Sequence, residues 1–137
     1  MSDYTILRAG DAPDFSGEDT PGAFIGYGRP LGSDQIAVNM RVLEPGQPHV
    51  PPGADPASGH GHRSIEELYL VLDGELRVKL GDEVETLRRY DAVLIPPGTT
   101  RAARNESDGQ VRLLMISRRV EDPRAESVPR EGFWPAG

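Results

Sequence analysis

His60-Gly61-His62-Arg63-Ser64-Ile65-Glu66-Glu67-Leu68-Tyr69-Leu70-Val71-Leu72-Asp73-Gly74 is the stretch whose reading decides the fold. Its apolar part, Leu68–Leu72, is too short for a helix. It runs into Asp73-Gly74, a two-residue turn that joins antiparallel strands because both residues tolerate positive φ. Beyond the turn, Leu76, Val78 and Leu80 alternate with Glu75, Arg77 and Lys79, the period of two that marks a strand with one buried face. The front of the stretch carries the chemistry. In an extended chain His60 and His62 point the same way, roughly 6.5–7 Å apart. A bend through Arg63–Glu66 would carry the Glu67 carboxylate back to them. Two imidazoles and one carboxylate form a facial triad that holds a divalent metal and leaves coordination positions open. The chain has three histidines, all between positions 49 and 62.

Working outward, the pattern of short strands continues. Gln35–Leu43 alternates Ile36, Val38, Met40 and Val42 with Ala37, Asn39 and Arg41, which predicts a half-buried strand with the apolar set inside. Met40 and Met115 are expected to line the barrel. Val84–Leu87, Ala92–Ile95 and Val111–Ser117 read as further strands, separated by Gly81-Asp82, Pro96-Pro97-Gly98 and Asn105–Gly109. About eight strands with frequent turns predict an all-β closed barrel or jelly roll. Residues 1–34 are expected to be irregular, with at most one short strand around Phe24, Ile25 and Tyr27. The barrel occupies 35–117, and 118–137 reads as an extended tail whose Phe133 and Trp134 anchor it or cap the barrel mouth. The Pro-rich loop 47–59 is long enough for a functional role.

Composition excludes several classes. The chain of 137 residues has no cysteine, hence no disulfide framework, thiolate metal site or cysteine nucleophile. A net charge of −7 disfavours nucleic acid and anionic membranes as partners. No apolar run is long enough to span a bilayer, and Met1-Ser2-Asp3-Tyr4 does not open a signal peptide, so a cytoplasmic location is expected.

His60-Gly61-His62, Glu67 and Gly74 match the first motif of the cupins, H-x-H-x₃₋₄-E-x₆-G. Asp91–Thr99 resembles their second motif, G-x₅-P-x-G-x₂-H-x₃-N, with Pro96, Gly98 and Asn105 in place. The resemblance implies a double-stranded β-helix, or jelly-roll barrel, with its site inside, often as a homodimer. It also implies one divalent transition metal (Fe, Mn, Ni or Zn) on His60, His62 and Glu67, and chemistry on small polar molecules: dioxygenation, decarboxylation or isomerisation. Three positions depart from the pattern. Tyr90 stands where the second motif opens on glycine. Ala54 stands where a glycine precedes the first histidine; if Gly46 is the equivalent, the loop has grown by eight residues. Arg101 replaces the histidine that is the family's fourth ligand.

Arginine offers only donors and cannot ligate a metal. Three arrangements are open. The triad keeps the metal and Arg101 grips an anionic substrate group; or His49 folds back as a replacement ligand; or Arg101 pairs with Glu67 and the barrel binds a small anionic ligand without metal. Arg101 and Tyr69 are the catalytic candidates, Arg101 and His49 the substrate-binding ones. Glu66 is expected to face solvent. The main alternative to an enzyme is a small-molecule binding module.

Overall fold

The computed structural model describes residues 3–134. Residues 1, 2 and 135–137, the ends of the predicted N-terminal segment and tail, lie outside the described part. In chain order the strands are β1 (Ala23–Gly26), β2 (Ile36–Leu43), β3 (Gly59–His62), β4 (Glu67–Asp73), β5 (Leu76–Leu80), β6 (Glu83–Leu87), β7 (Ala92–Ile95), β8 (Arg101–Arg104), β9 (Val111–Arg118) and β10 (Ser127–Arg130). Two short helices, α1 (Gly28–Leu31) and α2 (Pro123–Glu126), complete the elements with a 3₁₀ turn at Ala9–Asp11. The strands form two five-stranded antiparallel sheets, ordered β1-β2-β9-β4-β7 and β10-β3-β8-β5-β6. From β2 onward the chain passes back and forth between the sheets, which makes the fold a double-stranded β-helix. Between the sheets lie Leu43, Tyr69, Val71, Leu76, Val78, Leu113 and their neighbours, all closed to solvent. Burying each such side chain stabilises the fold by about 1.5–3 kcal/mol.

Turn chemistry sets the corners. Gly74 ends β4 at φ 84°, and a Cβ there would collide with the Gln110 carbonyl oxygen. Tyr90, at the position where the second motif has glycine, adopts φ 70° and is the sole non-glycine with positive φ among the described residues. The family glycine is thus explained by a left-handed corner that Tyr90 occupies with strain.

The inward face of β2 differs from the sequence expectation. Phe24, Arg41, Leu113 and Val71 lie side by side across four strands, as do Gly26, Asn39, Met115 and Tyr69. Tyr69, Val71 and Leu113 belong to the core, so Asn39 and Arg41 face inward with them. Ile36, Val38 and Met40 face outward, and Ile36 is 55% exposed. Met115 lines the interior as expected; Met40 does not. A period of two defines two faces and leaves open which of them is buried.

The tail is more than extended chain. Asp122 caps α2, its Oδ1 accepting from the Arg124 N–H at 3.1 Å and the Ala125 N–H at 3.3 Å. β10 then pairs antiparallel with β3, Ser127 opposite His62 and Pro129 opposite His60. Phe133 and Trp134 pack with Ala102 in a second small core on the outside of that sheet, so they anchor the tail instead of capping the mouth. The Trp134 N–H donates to the Ala57 carbonyl at 2.8 Å, and the Gly132 N–H to Asp55 Oδ2 at 3.0 Å. The tail thereby straps down the 47–59 loop.

Candidate metal centre

β3 and β4 bring the triad together. His60 and His62 project from the same face of β3 and their rings meet edge to face, centroids 5.1 Å apart. The bend 63–66 between them and Glu67 is shaped from the far end of the chain. The Glu126 carboxylate accepts from the Ser64 N–H at 2.6 Å and the Ile65 N–H at 2.9 Å, and these hydrogen bonds hold its pKa below the usual carboxylate range. The Gly98 N–H donates to the His62 carbonyl at 2.8 Å and fixes the end of β3 against the Pro96–Gly98 corner. Glu67 therefore starts β4 facing back into the barrel, while Glu66 is exposed.

One ligand atom from each of His60, His62 and Glu67 lies within 4.8 Å of the others. Three ligand atoms held on one ion at about 2.0–2.2 Å in a facial or tetrahedral arrangement lie about 3–3.6 Å apart, so the trio would close in by about 1–2 Å around it. Both His62 ring nitrogens and Glu67 Oε1 are buried without a hydrogen-bond partner, and His62 Nε2 stands 3.5 Å from Glu67 Oε1. Burying polar atoms unsatisfied is costly, and a cation between them would remove the penalty. The residues fit a divalent metal. Burial, and after it the Arg101 charge, lowers the His60 pKa to about 4, so the ring is neutral and able to ligate at neutral pH. Nearby His62 and the Arg101 charge hold Glu67 ionised against the opposing effect of its burial.

Arg101 lies directly across from His60, on β8. It is 0% exposed, and all three guanidinium nitrogens lack hydrogen-bond partners among the described residues. Nη2 stands 3.9 Å from Glu67 Oε1, too far for a hydrogen bond. Tyr69 is equally buried, its hydroxyl unpartnered and its pKa pushed up by burial and the Glu67 charge.

The triad opens on a cavity of about 530 Å³ that is also lined by Phe24, Asn39, Arg41, His49 and Met115. His49 reaches it because the strand facing β8 is interrupted. The His49 N–H donates to the Ala103 carbonyl at 2.9 Å and Pro48 bridges to Arg104, so 47–49 continue the line of β3 while 50–58 loop out. Gly46, just before this segment, turns at φ 81°. The His49 ring stacks on Phe24 (centroids 6.2 Å apart) and meets Tyr69 edge-on. Burial, followed by the Arg41 charge, lowers its pKa to about 3. His49 is not part of the three-residue cluster. The sequence reading passed over Arg41, which it placed on the outer face of β2, and Glu126, for which local pattern offers no signal.

The fold is a double-stranded β-helix, a small β-barrel inside which two histidines and a glutamate converge as a group that could hold a metal ion. Residues 44–117 match the family model described as the cupin domain, and the chain belongs to that family. Over 70 residues it is 37% identical to the uncharacterized protein YdbB of Bacillus subtilis (strain 168), a match covering 50% of this chain and 57% of that one. The chain thus spans little more than half the length of this curated relative. TT1209 from Thermus thermophilus superposes with a TM-score of 0.59 at 26% identity, over 75% of this chain and 90% of that one. A cupin-superfamily sugar phosphate isomerase from Silicibacter pomeroyi superposes with a TM-score of 0.72 over 93% and 92%; its 18% identity speaks to the fold alone.

Proposed function

We propose that this cupin holds one divalent transition metal through His60, His62 and Glu67 and acts on a small anionic metabolite. The carrying observation is the convergence of three ligand atoms within 4.8 Å beside a fully buried guanidinium that makes no hydrogen bond among the described residues. A metal bound there supplies a Lewis acid or, for a redox-active ion, a site for O₂, at positions the three ligands leave open. A divalent ion together with Arg101 outweighs the single negative charge of Glu67, and the excess is neutralised when an anionic ligand joins them. Arg101 then donates hydrogen bonds to that ligand and stabilises negative charge that develops on it. Tyr69 stays a neutral phenol and holds its proton at Oη, ready to donate to the ligand. His49, also neutral, offers Nδ1, a buried nitrogen without a partner. The reaction classes this suits are decarboxylation, isomerisation and dioxygenation.

One observation favours a second reading, a metal-free binding module. Arg101 occupies the fourth-ligand position with Nη2 only 3.9 Å from Glu67 Oε1, where its charge competes with a cation. Elemental analysis of untagged protein prepared without chelator, with His60→Ala as control, separates the two. Near-stoichiometric metal that is lost in the variant supports the enzyme. Protein that stays metal-free after incubation with Fe(II), Mn(II), Ni(II) and Zn(II) supports the module. Arg101→His, which restores the four-ligand pattern, should tighten metal binding and weaken anion binding. Unchanged metal affinity would mean that Arg101 does not face the metal site.

The protein is further proposed to form a homodimer through the outer face of the β1-β2-β9-β4-β7 sheet. Val38, Ile116, Leu68 and Leu94 form one row across it, and Ile25, Met40, Leu114 and Leu70 the next. Leu94 is 56% exposed. An uncovered apolar face of this extent marks an interaction surface.

A further inference from the structure

We infer that Arg41, with Asn39 beside it on β2, forms a second anion-binding subsite in the cavity, separate from the triad, that takes a carboxylate or phosphate at the far end of the ligand. This deepens the function proposed above but rests on that reading only in taking the cavity as the ligand site; it does not require the metal. Arg41 is 3% exposed, yet no ion pair joins it to a carboxylate among the described residues. Its Nε is sealed from solvent without a hydrogen-bond partner, and the residue borders the cavity. A guanidinium stays charged even when burial opposes it, as burial does here.

The nearest acid in influence, Asp14, already has its Oδ1 engaged. That oxygen accepts from the Ser16 N–H at 2.9 Å, the Ser16 hydroxyl at 2.7 Å and the Phe24 N–H at 3.0 Å. The Arg41 guanidinium lies over the Phe24 ring, 5.3 Å from its centroid, and the His49 ring stacks on the same phenyl, centroids 6.2 Å apart. That contact holds the guanidinium, whose planar fork can read a carboxylate or phosphate through paired hydrogen bonds. A buried cation without a hydrogen-bonded counter-ion is costly, and the Asp14 charge and the Phe24 ring offset it without bonding to it. The neutral His49 ring lines the cavity together with Arg41 and the triad and feels the charges of Arg41, His60 and Glu67. The ligand class that satisfies both ends is a small molecule with two anionic groups, one directed to the triad and Arg101, the other to Arg41.

The test uses chelator-treated and metal-loaded full-length protein, titrated with inorganic phosphate and with dicarboxylates from oxalate to adipate beside monocarboxylates of matched length. Binding is read by calorimetry and by the Arg41 Nε–Hε resonance. The inference expects at least one of these anions to shift that resonance in the metal-free protein. It expects Arg41→Gln to weaken that anion at least tenfold without changing metal content, and Arg41→Lys to retain part of the affinity. Anion binding that is unaltered in Arg41→Gln, or a wild-type Arg41 resonance indifferent to every probe, overturns it. The wild-type resonance decides the matter if the variant does not fold. Failure of the metal proposal shows separately, as absence of metal with anion binding at Arg41 intact.

Discussion

The barrel interior should make the metal-free protein sensitive to mild acid, and His49 should account for about half of the effect. Burial lowers the His49 pKa to about 3 and the His60 pKa to about 4, from 6.5 in an unfolded chain. Because the folded values are depressed, the unfolded state binds these protons first. The stability each neutral ring contributes is complete above pH 6.5, declines as pH falls through that value, and is exhausted near the folded pKa. At pH 5 each unfolded histidine is almost fully protonated and each folded one almost fully neutral, which corresponds to about 2 kcal/mol apiece. Together they should remove about 4 kcal/mol between pH 7.5 and pH 5. For a chain of this length that lowers the melting temperature by about 10–15 °C. Urea unfolding of chelator-treated protein at the two pH values measures the loss directly. His49→Gln keeps a polar, neutral side chain of similar reach and should cut the loss to about 2 kcal/mol. Equal stability at pH 7.5 and pH 5, or a loss the same in wild type and His49→Gln, would show that His49 is not buried neutral against Arg41 and Phe24.

Three further outcomes follow from the packing. Tyr90→Gly should raise stability by about 0.5–1 kcal/mol in a denaturant titration, because glycine adopts the left-handed corner without the strain of a side chain. Trp134→Ala should cost about 3 kcal/mol and speed proteolysis within 50–58, since the Trp134 side chain fills the outer core against which Ala57 packs. Leu94→Lys, at an exposed position of the apolar sheet face, should leave the melting curve of the barrel in place and shift the protein to monomer in light scattering; an unchanged mass would remove that face as the dimer interface.

How much of this was legible in the chain depends on the range of the interaction involved. Strand β4, its Asp73-Gly74 turn and strand β5 are written in neighbouring residues, because turn preference and a period of two are local properties. The triad is legible for a similar reason: His60, His62 and Glu67 lie within one strand, one bend and the start of the next, so a bend can bring them together, and the resemblance to the cupin motif selects Glu67 over Glu66. Asn105 and Gly74 follow from backbone demands that few residues meet; the buried Asn105 side chain donates to the Leu43 carbonyl at 2.9 Å and the Gly109 carbonyl at 2.7 Å.

What only the tertiary structure decided involves distant partners. Alternation along β2 showed two faces, but its apolar face turned out to lie outside, because the opposite face meets Tyr69, Leu113 and the cavity. Pairing of β10 with β3, and the Glu126 carboxylate that shapes the bend before Glu67, join residues some sixty positions apart, where no local pattern reports on contact. The surroundings of Arg101 and Arg41 are of the same kind. A sequence shows that an arginine is present; what stands within reach of it is a fact about the folded interior, and there Arg101 lies 3.9 Å from Glu67 without a hydrogen bond while Arg41 has no ion pair among the described residues.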